Sequence, residues 1–315
     1  MSFPADVIEE KISNYDKALS LLDKQLPQYK EKFDNWQNWH QAITSDKQIH
    51  EVVSQVLIIS YARMALRNGS LSPNPRSYHN ERHIDDLLGR LMHISKLPES
   101  SSMPDYGWSL LSLFMSSHDL RQSERVDNDD IIGHNEQASY QELLRLIITI
   151  DKDKVLRSEH KELLKLMIHG STFGEGRDVA GNIYQGNLVK YILEKIAYFD
   201  DIDKEIAYLA CDIDTANVAA HLKDYAQSSI DVYNEIQTIS SEEISAQSFF
   251  GEQQEQYFFE LQQFNSSLGS IAFAKNKSNN APMVKKICCA IKLLDKNMEN
   301  ERIVAYYQSN IDSHS

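Results

Sequence analysis

Ser77-Tyr78-His79-Asn80-Glu81-Arg82-His83-Ile84 runs directly into Ile84, Leu87, Leu88, Leu91, Met92 and Ile94, apolar positions that recur at intervals of three and four. That period predicts a helix with one buried face. Residues four apart share a helix face, so His79 and His83 point to one side, with Asn80 three before His83 beside them. His83 lies four before Leu87 and falls on the buried side. Ahead of the stretch, Pro73 and Pro75 break helix and make an extended lead-in. Before them, residues 48–66 carry a core stripe of Val52, Val56, Ile59 and Met64. That helix stops ahead of Arg67-Asn68-Gly69, a C-terminal signal.

Downstream, residues 98–104 read as a serine-rich loop. Trp108-Ser-Leu-Leu-Ser-Leu-Phe-Met115 is apolar enough to be a central core helix, and it leads into Ser116-Ser117-His118-Asp119. A carboxylate at the end of a core helix must be paired or metal-bound to tolerate burial. An acidic loop, residues 124–130, precedes Gly133-His134-Asn135-Glu136-Gln137-Ala138-Ser139 and a helix through Ile150. Another helix spans residues 159–169. Residues 171–186 hold four glycines and read as a mobile loop over a site. Helices are expected at 188–198 and 204–222, then at 253–264 and 284–298 on either side of a polar, turn-rich stretch at 275–282. The residues from Gln308 onward are expected to fray.

With only 11 glycines and 7 prolines in 315 residues, the chain reads as all-α. It divides into N-terminal accessory helices (1–46), a core (47–240) and C-terminal helices packed on that core (241–315). No internal repeat is evident. A hydrophobic content of 42% can bury a sizeable core. The net charge of -14 and pI near 5.2 argue against binding a nucleic-acid duplex, which requires a basic surface. Three cysteines, two of them adjacent, give no disulfide framework and favour a reducing compartment. Val56-Leu57-Ile58-Ile59 is soon interrupted by Ser60 and Arg63, short of the ~20 apolar residues a bilayer span needs. Residues 1–11 lack a basic region followed by an apolar core. The expectation is a cytoplasmic protein with no membrane partner.

His79-Asn80-x-x-His83, His118-Asp119 and Asp212-Ile213-Asp214-Thr215-Ala216-Asn217 together supply imidazoles and carboxylates suited to a divalent cation. Such mixed ligation fits zinc, iron or manganese, whereas all-oxygen ligation fits calcium or magnesium. In their order these residues resemble the HD-domain metal-dependent phosphohydrolases, a superfamily marked by a lone His, a His-Asp doublet and a distant Asp. Tyr78-His79-Asn80-x-x-His83 and Asp214-x-x-Asn217 are similar to motifs of its cyclic-nucleotide phosphodiesterase branch. His79-Asn80-x-x-His83-Ile84 with Asn135-Glu136-x-x-Ser139 also resembles predicted bacterial HD phosphohydrolases. The likeness covers about residues 78–217.

That resemblance implies an HD-type helical bundle with additional N- and C-terminal helices. His83, His118, Asp119 and Asp214 would ligate a first ion (Mn, Fe, Zn, Mg or Ni), and Asp119 would be shared with a second if one binds. Asp214 is favoured over Asp212 because Asn217 follows it by three; the two carboxylates face about 200° apart on an ideal helix, so only one enters the site. His79 would be the general acid. Asn80 and Asn217 would stand on the substrate side, Asn80 orienting a neighbour rather than touching metal. The phosphodiesterase pattern has a further His two residues after the doublet and a glycine soon after; Leu120-Arg121-Gln122-Ser123 supplies neither. His134 and His169 are the candidate substitutes as ligands of a second ion. Glu136 would meet an activated water or cap its helix. Arg82 and Arg121 are candidates for a substrate phosphate, and His221 for orienting Asn217. Gln256 with Phe259, or Gln263 with Phe264, are candidates for holding a nucleobase, while Trp36, Trp39 and His40 read as packing. The implied function is metal-dependent hydrolysis of a small-molecule phosphate ester, a nucleotide or cyclic nucleotide. The competing expectation is a regulatory module that keeps the nucleotide pocket without turnover.

Overall fold

The computed structural model describes residues 3–122, 133–177, 183–196, 198–240 and 243–312. The architecture is all-α, with one short hairpin. Two helices form its centre: α4 (Lys47–Arg67) and α6 (Asp105–Ser117). Both are apolar all round, and such helices belong in a core. Val53, Val56, Leu57, Tyr61, Ala62 and Ala65 of α4 are fully buried, as are Leu110, Leu111, Leu113, Phe114 and Met115 of α6. Each large apolar side chain so buried contributes roughly 1.5–3 kcal/mol relative to exposure.

Around α4 pack α1 (Val7–Lys11), α2 (Tyr15–Gln25), α3 (Lys30–Ile43), α5 (Glu81–Ile94) and α7 (His134–Ile150). α6 in turn meets α5, α7, α8 (Ser158–Gly170) and α10 (Asp201–Asp214). By length and composition α4 could cross a membrane, which the sequence reading did not anticipate. Its apolar window is 78% buried inside the protein, because neighbouring helices surround it.

One apolar cluster runs from Ile12 to Phe273, so α2 and α3 share the core with α4–α8 and α10. A second joins α11 (Leu222–Ile239) to the chain's last helices through Ile230, Tyr233, Phe250, Ile291, Ile303 and Tyr307. A third, around Val218, Tyr225, Phe258, Val284 and Cys288, lies at their junction.

Several expectations are corrected. The helix expected over 204–222 ends at Asp214 and turns through a 3-10 segment, Ala216–Ala219, before α11 begins. Residues 171–186, read as a mobile loop, include β1 (Phe173–Arg177) and β2 (Ile183–Asn187), antiparallel strands with Gly174 opposite Gly186. Both glycines have positive φ, at 142° and 82°, which side-chain-bearing residues rarely adopt. α9 (Val189–Lys195) follows. The acidic stretch 124–130 lies outside the described residues.

The polar stretch 275–282 does not break helix either: α14 (Ser267–Lys292) is continuous and contains Pro282. Tertiary anchoring overrides local propensity here, since buried Asn280 donates to the carbonyls of Val218 and Ala220 at 3.0 and 2.8 Å. α15 (Asn300–Asp312) persists where fraying was expected, because Ile303, Tyr307 and Ile311 are buried on one face. Between α11 and α14 the chain alternates α-helical turns, α12 (Ala246–Ser248) and α13 (Gln254–Gln256), with π-helical ones, Phe249–Gln253 and Tyr257–Leu261.

Candidate metal centre

Three helix ends converge. The first is the start of α5, set by Asn80 as its N-cap. The Asn80 side-chain oxygen accepts from the Arg82 amide at 2.9 Å, and its nitrogen donates to the carbonyls of Arg76 and Ser77 at 2.9 and 3.1 Å. These bonds occupy the side chain, which is buried. Asn80 therefore sets where the helix begins, and it is not on the lining of the cavity that His118 and Asp119 face. One turn on, His83 is buried, with its Nε2 near the carboxylates of Asp119 and Asp214.

The second is the end of α6, where His118 is the C-cap. Its ring stacks on Phe114 at 4.5 Å and its Nδ1 donates to the Phe114 carbonyl at 3.1 Å. That bond fixes the tautomer and turns Nε2, with its lone pair, toward the site. The Nε2 atom is buried without a hydrogen-bond partner. Carboxylate oxygens of Asp119 and Asp214 approach it at 3.1 and 3.4 Å without lying in line with the ring nitrogen.

The third is the end of α10. Arg90 of α5 donates to the carbonyls of Ile213 and Asp214 at 2.8 and 3.3 Å, placing a cation at the negative end of the helix. The helix stops there and Asp214 is presented to the imidazoles. Its Oδ1 is 3.3 Å from His83 Nε2.

His83, His118 and Asp214 thus offer ligand atoms all within 4.8 Å of one another, and this group can hold a metal ion. Asp119 stands outside that tight trio, yet its Oδ2 is 3.1 Å from His118 Nε2 and 3.6 Å from His83 Nε2. Asp212, on the other face of α10, is fully buried elsewhere and accepts from Ser266 Oγ at 2.6 Å and from the amides of Asn265 and Ser266.

Electrostatics mark the trio as cation-seeking. Burial raises the pKa of Asp119 and of Asp214, but the imidazoles around them, His118 foremost with His79 and His83 beside Asp119 and His83 beside Asp214, together outweigh it and hold both carboxyls well below their usual range. Burial likewise disfavours charge on His118, and the Asp119 and Asp214 carboxylates reverse it, raising that pKa well above 6.5. A proton on His118 then balances charge that a divalent ion would otherwise balance. The orphaned nitrogen, two carboxylates and second imidazole make a mixed N,O donor set that fits a divalent ion.

His79 lies beside this group, its ring centroid 6.0 Å from that of His83, and it faces the same cavity. Its Nδ1 is 2.6 Å from Glu235 Oε1, while Glu235 Oε2 accepts from the amides of Tyr78 and His79, both at 2.9 Å. Burial opposes the imidazolium, but Asp119 and Glu235 prevail and the His79 pKa is raised. Glu235 itself, despite burial, is held down to about 2 by its bond with His79. Arg76 pairs with it at 3.0 Å. Sequence reading missed Glu235 because it lies on α11, which was not recognised as a helix.

Asn217 reaches the cavity with its amide engaged: Oδ1 accepts from Tyr257 at 2.9 Å and Nδ2 donates to Ser228 at 3.1 Å. Those partners, rather than His221, orient it. His134 and His169 are not brought to the trio. The His134 ring stands edge-on to Phe3 at 4.6 Å. His169 sits against Tyr140, and burial lowers its pKa to about 4. Arg121 pairs with Glu9 at 2.9 Å; Arg82 is not on the lining of the cavity that His118 and Asp119 face, and instead shares with His83, Tyr78 and Asn217 the wall of an adjoining one. Glu136 does line the cavity, and burial, reinforced by Asp119, raises its pKa.

The cavity measures about 580 Å³, with Phe173, Val232, Ile236, Phe249 and Tyr257 as its apolar wall and Gln253 and Gln254 beside them. Gln256, Phe259, Gln263 and Phe264 are not on it. Phe259 is exposed beneath Lys285, and Phe264 packs on Phe273. Two π-helical turns, Phe249–Gln253 and Tyr257–Leu261, shift the helical phase of this segment. Neither a scan against models of known protein families nor a search of curated proteins returns a match to this chain.

Proposed function

We propose that this chain is a metal-dependent phosphohydrolase of the HD type, acting on a small phosphate ester such as a nucleotide or cyclic nucleotide. The observation that carries the reading is His118 Nε2, a buried nitrogen with no hydrogen-bond partner, tautomer fixed by the Phe114 carbonyl and surrounded by Asp119, Asp214 and His83. His83, His118, Asp214 and Asp119 would hold a divalent ion. Such an ion supplies Lewis acidity, making water nucleophilic near neutral pH and offsetting phosphoryl charge.

The remaining chemistry belongs to the chain. His79 carries the proton that the departing alkoxide needs, donated from Nε2 while Nδ1 stays bonded to Glu235. Glu136, its carboxyl raised by burial, stands across the cavity as a group able to exchange a proton with water. The wall of Phe173, Phe249 and Tyr257 accommodates the organic part of the ester and excludes bulk water.

The test is metal analysis of the purified protein followed by assay, with Mn2+ supplied, on phosphomonoesters and phosphodiesters of nucleosides. Turnover lost in Asp119→Ala together with its bound metal supports the proposal. Absence of turnover on both ester classes, with metal content unchanged in that variant, refutes it.

A further inference from the structure

We propose that Gln122 closes Asp119 against a second cation, so that the centre holds a single divalent ion. This rests on the metal-binding reading above and adds the number of ions and the residue that sets it.

A carboxylate that bridges two cations uses one oxygen for each. Asp119 has its oxygens divided differently. Oδ2 faces the imidazoles of His118 and His83, at 3.1 and 3.6 Å. Oδ1 accepts a hydrogen bond from Gln122 Nε2 at 2.7 Å. The direction of that bond is forced, because an ionised carboxylate can only accept. The Gln122 amide is itself held: its Oε1 accepts from Asn135 Nδ2 at 3.0 Å. Flipping the amide would set oxygen against carboxylate and nitrogen against nitrogen, losing both bonds together.

Asn135 is in turn fixed at the start of α7. That helix is tied to the same turn through Ser139 Oγ, which accepts the Arg121 amide at 3.0 Å. Gln122 and Asn135 thus form a relay that aims the Asp119 carboxylate and holds an N–H group against its Oδ1, the oxygen a bridging carboxylate would give to a second cation. The imidazoles expected to serve such a cation, His134 and His169, are not in the group formed by His83, His118 and Asp214, and their rings pack on Phe3 and Tyr140. Gln122 is therefore a positioning residue, acting on the metal through Asp119.

The experiment is equilibrium dialysis of the full chain against Mn2+, with electron paramagnetic resonance of the loaded protein. The expected result for the natural sequence is one Mn2+ per chain and the spectrum of an isolated ion. Gln122→Glu exchanges the donor for a carboxylate oxygen, and its expected result is two Mn2+ per chain with an exchange-coupled spectrum. Thermal melts establish that the variant is folded. Two coupled ions in the natural sequence would overturn the proposal while leaving the metal-centre reading intact, and no bound ion would overturn both. A folded Gln122→Glu that still binds one ion would overturn the role given to Gln122.

Discussion

Replacing His40 by glutamine is expected to remove a defined part of the protein's acid sensitivity. His40 lies on α3, fully buried, with Nδ1 2.9 Å from Nδ1 of His50 and Nε2 3.1 Å from Ser109 Oγ. The Trp36 ring stacks on it at 4.9 Å. Only one of two facing Nδ1 atoms can carry a hydrogen, so the pair cannot be doubly protonated without repulsion. Burial first, then the proximity of His50, lowers the His40 pKa from 6.5 to about 3, with Asp105 pulling the other way. Below pH 6.5 the unfolded chain gains a proton that the folded chain refuses. The stability contribution is therefore intact above about pH 6.5 and is lost as pH falls toward 3, at up to about 1.4 kcal/mol per pH unit. At about pH 5, some 1.5 units below the unfolded value, the loss is about 2 kcal/mol. Burial also lowers the His50 pKa, with the same sign. Urea midpoints of the natural protein and of His40→Gln, each at about pH 7.5 and about pH 5 in metal-free buffer, isolate the difference because other titrating groups are common to both. The natural protein is expected to lose about 2 kcal/mol more than the variant. Equal losses in the two would refute the argument that burial holds His40 neutral.

Three further outcomes are expected. Asp214→Asn should abolish divalent-ion binding, whereas Asp212→Asn, two residues away, should leave ion binding in place and cost roughly 1–3 kcal/mol of stability, because its oxygens accept buried hydrogen bonds; dialysis and denaturant melts on the two separate these effects. His79→Ala should lower kcat by ~10²–10⁴-fold while retaining the ion. Glu235→Gln should shift the limb of the pH–rate profile set by His79 to lower pH, because the carboxylate that raises the His79 pKa is gone; a profile identical to that of the natural protein would count against the pairing.

The parts of this molecule that local sequence reveals are those in which the chain's own neighbours determine the outcome. α4, α5 and α6 follow from apolar periodicity. That only one of Asp212 and Asp214 can enter the site follows from helix geometry, the choice of Asp214 comes from the motif with Asn217, and the structure gives the two different partners. Local rules fail where distant residues intervene. Pro282 and the polar residues before it read as a break, yet α14 passes through them, held by Asn280. Arg90 ends α10 by binding carbonyls 123 and 124 residues away. The cavity-facing residues Phe249, Gln253, Gln254 and Tyr257 are not singled out by the sequence, because they lie in and beside π-helical turns that no simple helical period describes.

Asn80 and Glu235 show the same division within the site. Asn80 was recognisable because it precedes a helix, but the position admits two uses, capping and ligand contact, and only its three hydrogen bonds decide for capping. Glu235 gave no local signal, since a single glutamate on a mixed helix is ordinary. It is 156 residues from His79, and the fold alone brings it to 2.6 Å. A histidine at a helix entrance can be a cap, a ligand or an acid. Here the imidazole that faces the Asp119 and Asp214 carboxylates, His83, is separated from the one held by Glu235, His79, and the two histidines one turn apart therefore have different partners.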